Sequence, residues 1–450
     1  MSMSKYRLAL FGGVPLVRVH ARLRIPWPIV TRQDRNAVMR AFDVQDFSGR
    51  GSSEVYGLEA EMASSFEMPH GTALNSGTAA LHVALASLGI GQGDEVIVPN
   101  LTFIATAMAV VHNGSIPVFA DIDPITYNIT ADSIRKKVSK KTKAVIVVHM
   151  HGFPADIHPI QELCRERNLM LIEDVAQSPG ARFNGKPLGS FGDASAFSLM
   201  SQKNLATCGE CGILLNKTLA AKNRAEMVRI YGEILRANTP RKYNSYTLGW
   251  NYTLNPIQAA MARTQLRRLP QLTRRIRQAS LRMNCELQSF KWIRPPNDIP
   301  GGEGVFHFYR IGLDPTSFDF SHPGKFRKAI QDALNAEGLN VRHYQNTPLS
   351  GQPVFQTEIY NDFKKQFDIQ RYPNTLRVIR STLVLGAVSS WPGYVLCPGT
   401  IEAYVKGFEK LERNMPQILE YAAKIKYTEP WEDIAKTSDS FKAKYSFWKK

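Results

Sequence analysis

The chain has 450 residues, 44% hydrophobic and 21% charged, too long for one core, since single cores stop growing at roughly 250–300 residues, and too apolar for a disordered chain. Five cysteines, an odd number without dense spacing, exclude a disulfide-stapled secreted scaffold and point to a reducing compartment, the cytoplasm. The formal net charge of +17 gathers in blocks (135–143, six arginines from Arg263 to Arg277, and the tail from Lys424 to Lys450). None of these has zinc-finger, RNA-recognition or basic-zipper spacing, so the expected partners are small molecules, an anionic or sugar-like one among them, and not nucleic acid.

The start, MSMSKYRLALFGGVPLV, sets Lys5 and Arg7 before an apolar stretch. Gly12, Gly13 and Pro15 interrupt it and no small-residue cleavage site follows, so no secretory signal is expected. Residues 1–25 are read as an N-terminal arm. No apolar run approaches the ~18 residues that cross a bilayer, FIATAMAVV being the best, and no membrane span is expected.

Between about 70 and 216 six short runs alternate with helical patterns: EVIVP (95–99), IPVFAD (116–121), AVIVVH (144–149), MLIEDVA (170–176), ASAFSL (194–199) and GILLN (212–216). The clearest are continuously apolar, as strands buried on both faces of a mostly parallel sheet are. TAALHVALASLG places Leu81, Leu85 and Leu88 on one helical face and stops at Gly89. These patterns predict an α/β fold, with a large domain over 26–263. Beyond the NPIQAAMARTQLRRL helix, EGVFHFYRIGL and FRKAIQDALNAEGLNVRHY predict a smaller α+β domain over 264–425, and 426–450 reads as a C-terminal arm.

Three places carry chemistry. NSGTAALHVAL is a strand-to-helix turn whose Gly77 allows close backbone approach and whose first-turn N–H groups are free to cradle a phosphate, although a plain N-cap is the commoner meaning. EDVAQSPGA puts Asp174 at the C-terminal end of a buried strand, where a carboxylate needs a cationic partner and where α/β sheets hold ligands; Gln177 follows three residues on. In SLMSQKNLATCGECGILL, Ser198 and Lys203 lie five apart at the end of another strand, and a buried amine there can condense with an aldehyde and later shuttle a proton. The same stretch holds Cys208 and Cys211, but a structural zinc needs four ligands and no second pair stands near, so no metal site is expected. Together the three places suit pyridoxal 5′-phosphate: phosphate at Gly77, Thr78 and Ser198, ring nitrogen on Asp174, aldehyde on Lys203.

In that order, with GGVPLV, VPNLTFIATAMAV, FADIDPITYNI, HMHGFPADI, GWNYTLNPIQAAMARTQL, VRHY and PLSGQPVF, these segments resemble the DegT/DnrJ/EryC1/StrS family of sugar aminotransferases from residue 8 to about 413. The likeness is nearest to the branch of 3-amino-5-hydroxybenzoate synthases and glutamine:scyllo-inosose aminotransferases. It implies a fold-type I pyridoxal-phosphate enzyme working as a homodimer with shared active sites. By motif, it implies Lys203 as the covalent anchor and proton carrier and Asp174 on the pyridinium. It puts Phe103 stacked on the ring and Gln177 near its phenolic oxygen, with Gly77, Thr78 and Ser198 on phosphate. Asn251 is expected to reach the neighbouring subunit's cofactor, and His307 and His343 to line the substrate cleft.

The implied reaction moves an amino group from glutamine or glutamate to a keto-sugar, keto-cyclitol or related secondary-metabolite intermediate. The alternative is elimination, aromatising dehydration or carbon–carbon bond formation with an anionic co-substrate. Lys203 stands against the dehydratases that carry His there. Departures from the pattern are GECG for the usual GEGG, LMSQK for FHPTK, and Thr253 and Pro256 where relatives commonly carry Arg and an acidic residue.

Overall fold

Nearly continuous runs of Val, Ile, Leu and Phe become the centre of the molecule because a strand with two covered faces has no polar side to show. In the computed structural model, which describes residues 6–18, 23–45, 47–49, 51–235, 239–356, 367–386 and 391–432, seven strands form one sheet. They are β1 (His70–Leu74), β2 (Glu95–Pro99), β3 (Ile116–Ala120), β4 (Thr142–Val148), β5 (Met170–Asp174), β6 (Ala194–Ser198) and β7 (Gly212–Asn216), in the order β1-β7-β6-β5-β4-β2-β3. Strands β2 to β6 pair in parallel, whereas β7 is antiparallel to both β6 and β1. The link from β6 to β7 holds no helix to carry the chain back across the sheet, so it closes as a hairpin. All six sequence-read strands are present. The edge strand β1 is not among those six runs, because its HGTAL segment lacks their apolar continuity; it is the strand that the NSGTAALHVAL turn implies.

The helices that bear on the site are α1 (Arg32–Asp43), α2 (Ser53–Ser65), α3 (Gly77–Ser87), α4 (Ala105–His112), α5 (Ile157–Glu166), α6 (Leu219–Arg229) and α7 (Pro256–Leu287). Asn255 caps α7, accepting the Ile257 N–H at 2.9 Å, and Pro256 takes the first helical position, where its missing N–H costs nothing. Early α7 residues Ala259, Ala262, Leu266 and Leu269 pack beneath the large sheet. Ile276, Met283 and Leu287 belong to a second core, which contains the sheet β8 (Ile293–Arg294), β9 (Tyr309–Leu313), β10 (Val341–Arg342) and β11 (Thr382–Leu385), in the order β8-β9-β11-β10. The helix runs unbroken through the 263/264 position at which the sequence reading divides the chain. Its side chains change core further on, between Leu269 and Ile276.

The N-terminal segment is tied to the second core. Leu8 and Val17 are buried there, and the buried Glu337 carboxylate accepts the N–H groups of Ala9 (2.7 Å) and Leu16 (3.0 Å) and pairs with Lys410 (2.8 Å). At the other end Trp431 is buried, with the Arg380 guanidinium over its ring at 5.1 Å; the rest of the expected C-terminal arm, 433–450, lies outside the described residues. Much of the arginine block on α7 is structural. Arg263 pairs with Glu54 (2.8 Å) and Glu61 (2.7 Å), Arg268 with Asp34 (2.8 Å), and Arg277 with Asp298 (2.7 Å).

One ion pair locks α2, α6 and β1 together. Arg229 Nη1 donates to Glu59 Oε1 at 2.7 Å, and the same oxygen accepts the Ala73 N–H at 2.8 Å, both side chains being buried. Replacing Arg229 by methionine leaves that carboxylate without its counter-charge. Urea unfolding of Arg229→Met is expected to show a loss of about 3–5 kcal/mol, and a loss within 1 kcal/mol of zero would show the pair to be dispensable.

Candidate active site

Parallel strands end together, so β4, β5 and β6 deliver His149, Asp174 and Ser198 to one edge of the sheet, where open α/β folds bind ligands. A cavity of about 290 Å³ opens there.

At one end of the cavity Ser76 caps α3, its Oγ accepting the Ala79 N–H at 3.1 Å, and the first-turn amides of Gly77 and Thr78 face outward at the positive end of the helix. A Cβ at position 77 would come within 2.6 Å of Ser198 Cβ, and one at Gly212 within 2.0 Å of the Ser76 carbonyl oxygen. Glycine at both positions lets the Ser198 hydroxyl and the start of β7 close against the helix N-terminus. The second glycine of GECG is therefore steric. Within the same turn Cys208 is exposed, while Cys211 is fully buried at the head of β7, where burial pushes its thiol well up and leaves it a poor nucleophile.

The cavity floor is charged. Asp174 Oδ1 accepts the Ala176 N–H (3.1 Å) and Oδ2 accepts the Thr106 hydroxyl (3.0 Å). Burial pushes the Asp174 carboxyl above the usual carboxylate range, against the pull of these hydrogen bonds and the Lys203 charge. Its neighbour Glu173 points the other way and accepts from Gly189, Phe191 and Gly192 N–H groups and from His149 Nε2, which fixes the strand end. The Lys203 backbone is held by its N–H on the Met200 carbonyl (2.8 Å) and by Trp27 Nε1 on its own carbonyl (3.0 Å). Burial lowers the Lys203 amine from its ordinary value, partly offset by Asp174 and Glu210, so more of it is neutral and nucleophilic.

Of the other residues read from the sequence, Thr78, Phe103, Gln177 and His307 line the cavity. Phe103 is 56% exposed, its apolar ring offered to the cavity. Gln177 Oε1 accepts the His151 N–H at 2.8 Å. His307 Nδ1 lies 3.0 Å from Asn204 Oδ1, whose amide donates to the Val305 carbonyl; this makes Nδ1 the protonated nitrogen, and burial, then the Lys203 charge, holds the ring neutral. Asn251 and His343 do not line the cavity. Asn251 is exposed beside the cradle, accepting the Thr253 hydroxyl at 2.8 Å, whereas the half-buried His343 is turned away from the cavity, its Nε2 donating to the Ile379 carbonyl at 2.8 Å. The neighbouring Tyr344 lines the cavity in its place.

Sequence reasoning missed Thr106, Asn204, Glu210 and Tyr344. Only Thr106 had a legible signal, a hydroxyl at the start of the helix that follows Phe103.

The donor set fits pyridoxal phosphate: an N-terminal cradle that any Cβ at position 77 would fill, a buried carboxylate that needs a cation, one amine, and an exposed aromatic face.

The profile of the DegT/DnrJ/EryC1/StrS aminotransferase family matches residues 29–389. The chain is 36% identical over 298 residues, 66% of its length and 76% of the relative's, to the UDP-N-acetyl-3-dehydro-alpha-D-glucosamine 3-aminotransferase of Acidithiobacillus ferrooxidans. Among solved structures it is similar to S. venezuelae DesV in complex with ketimine intermediate (TM-score 0.72, 27% identity, 87% of this chain and 95% of that one). In fold it is also similar to 3-amino-5-hydroxybenzoic acid synthase (TM-score 0.76, 24% identity, 87% and 99%). Since the match takes in every segment that lines the cavity, this chain belongs to the DegT/DnrJ/EryC1/StrS aminotransferase family and is a pyridoxal-phosphate-dependent enzyme.

Proposed function

We propose that the protein transfers the amino group of glutamate or glutamine to a keto-sugar, keto-cyclitol or related secondary-metabolite intermediate, in the cytoplasm and as a homodimer with shared sites. The observation that carries this reading is Lys203 and Asp174 facing one cavity beside the Gly77 cradle. The 36% identity to an aminotransferase named for a UDP-linked dehydro-sugar supports the acceptor class. Tyr243 and Leu248, 73% and 79% exposed on the stretch that leads to Asn251, support a partner subunit covering that side.

When bound, pyridoxal phosphate supplies the aldehyde that takes up the amino group and the electron sink for negative charge at the donor's α-carbon. Gly77, Thr78 and Ser198 would hold its phosphate, with Phe103 and Gln177 along the ring. Asp174 would keep its ring nitrogen protonated. Lys203 Nζ would take up and hold the proton from the donor's α-carbon, working at one face because its backbone is pinned at both N–H and C=O. His307, neutral with Nδ1 committed to Asn204, has Nε2 left as a hydrogen-bond acceptor.

Absorbance of the cofactor-loaded enzyme tests this. L-glutamate or L-glutamine is expected to convert it to the aminated cofactor, and a nucleotide-linked keto-sugar or keto-cyclitol to restore the starting spectrum. No conversion with either donor would sink the reading.

A further inference from the structure

Arg310 has no counter-charge. Its guanidinium is 1% exposed, Nε, Nη1 and Nη2 all lack a hydrogen-bond partner, and none of the described carboxylates pairs with it. It faces only rings, with the Tyr127 ring 5.3 Å from Cζ and Tyr344 within electrostatic reach. Burial lowers it to about 10, so it stays cationic at neutral pH. Beside it His151, equally buried, has neither ring nitrogen paired, its ring set 5.9 Å from Tyr127 and 5.4 Å from Phe308. A buried guanidinium left alone costs several kcal/mol and is kept where an anion meets it.

The backbone shows where that anion comes from. Tyr309 and Ile311 of β9 face the second core. Strand alternation therefore turns Phe308 and Arg310 to the opposite face, and Phe308 lines the cavity. Phe308 and Tyr344, 5.2 Å apart, form the partition between cavity and guanidinium, and Gln177, which also lines the cavity, holds the His151 backbone. The unpaired donors thus lie directly behind one wall of the active site. A guanidinium offers two parallel N–H groups, the match for a carboxylate.

We propose that Arg310, with His151 beside it, is the receptor for the carboxylate of the amino donor, reached past Tyr344. The inference rests on the proposed aminotransferase reading and names what the donor must carry. It also assigns a job to a buried strand guanidinium that the described residues leave without a partner.

Two measurements on cofactor-loaded enzyme test it, with wild type, Arg310→Met and Arg310→Lys. In the first, conversion is titrated with L-glutamate and L-glutamine. Arg310→Met is expected to weaken apparent donor affinity on the order of 100-fold with a smaller change in the limiting rate, and Arg310→Lys to recover part of the loss. In the second, thermal melting is followed with glutarate and with inorganic phosphate. Glutarate is expected to raise Tm in wild type but not in Arg310→Met, and phosphate to discriminate far less between the two.

Without ligand, Arg310→Met is expected to melt at or above wild type, since it removes an unpaired buried cation. Unchanged donor affinity, stabilisation by phosphate alone, or a variant that melts early and sheds cofactor would each overturn the assignment. Should wild type take an amino group from no donor, the functional reading fails, and the glutarate comparison still decides this site.

Discussion

Lys203→Ala is expected to lower turnover by about 10⁴-fold, the upper range for losing a positioned proton carrier, and to abolish covalent attachment of the cofactor altogether. Borohydride reduction of the wild-type enzyme should leave the cofactor on the peptide that contains Lys203, and on no peptide of the variant. The size of the effect follows from geometry. Lys203 is the one amine lining the cavity, its backbone is fixed by Met200 and Trp27, and burial biases it toward the neutral form. The change should cost little in folding, because it removes an amine whose charge burial disfavours, so melting within a few degrees of wild type separates lost chemistry from lost fold. Small primary amines added to the variant should restore part of the rate by supplying the missing base. Full activity, or a label found on another lysine, would remove Lys203 from its role.

Asp174→Asn is expected to slow the single-turnover reaction with glutamate by about 10²–10³-fold while cofactor binding falls far less. The amide oxygen can still accept the Ala176 N–H and its NH2 can donate to the Thr106 oxygen, but the charge that would keep a ring nitrogen protonated is lost. The cofactor-free protein should show an opposite sign in stability. Burial raises the Asp174 carboxyl above its unfolded value, so the folded chain binds more protons than the unfolded one just above that value, and Asp174 costs stability as pH rises through the shifted range. Asparagine removes that cost. The cofactor-free variant should therefore melt at or above wild type at neutral pH, and the difference should shrink under acid conditions. Equal single-turnover rates in the two proteins would dissociate Asp174 from the ring nitrogen.

Much of this site was legible in the chain, for reasons that differ by residue. Gly77, Asp174, Ser198 and Lys203 each sit at a strand end or helix start, and those positions are marked locally by apolar runs and turn residues. Gln177 was read from its place three residues after Asp174, Phe103 and His307 came from the family resemblance, and all three line the cavity. His343 came from the same resemblance, but in VRHY it turns toward the Ile379 carbonyl and leaves Tyr344 at the cavity. Of the two departures in NYTLNP, Pro256 is the first residue of a capped helix, while Thr253 hydrogen-bonds Asn251 beside the cradle.

The sequence by itself determined the parallel strand runs, the positions of the amine and the carboxylate, and the glycine on which the close approach at the helix N-terminus depends, because each is encoded within a few consecutive residues. Tertiary structure alone decided that Thr106 reaches Asp174 across 68 residues, that Asn204 sets the protonated nitrogen of His307 across 103, that β7 runs antiparallel, and that Arg310 lies unpaired behind the cavity wall. Those outcomes depend on the direction in which one element's side chains point when a distant element packs against it. No local pattern carries that information.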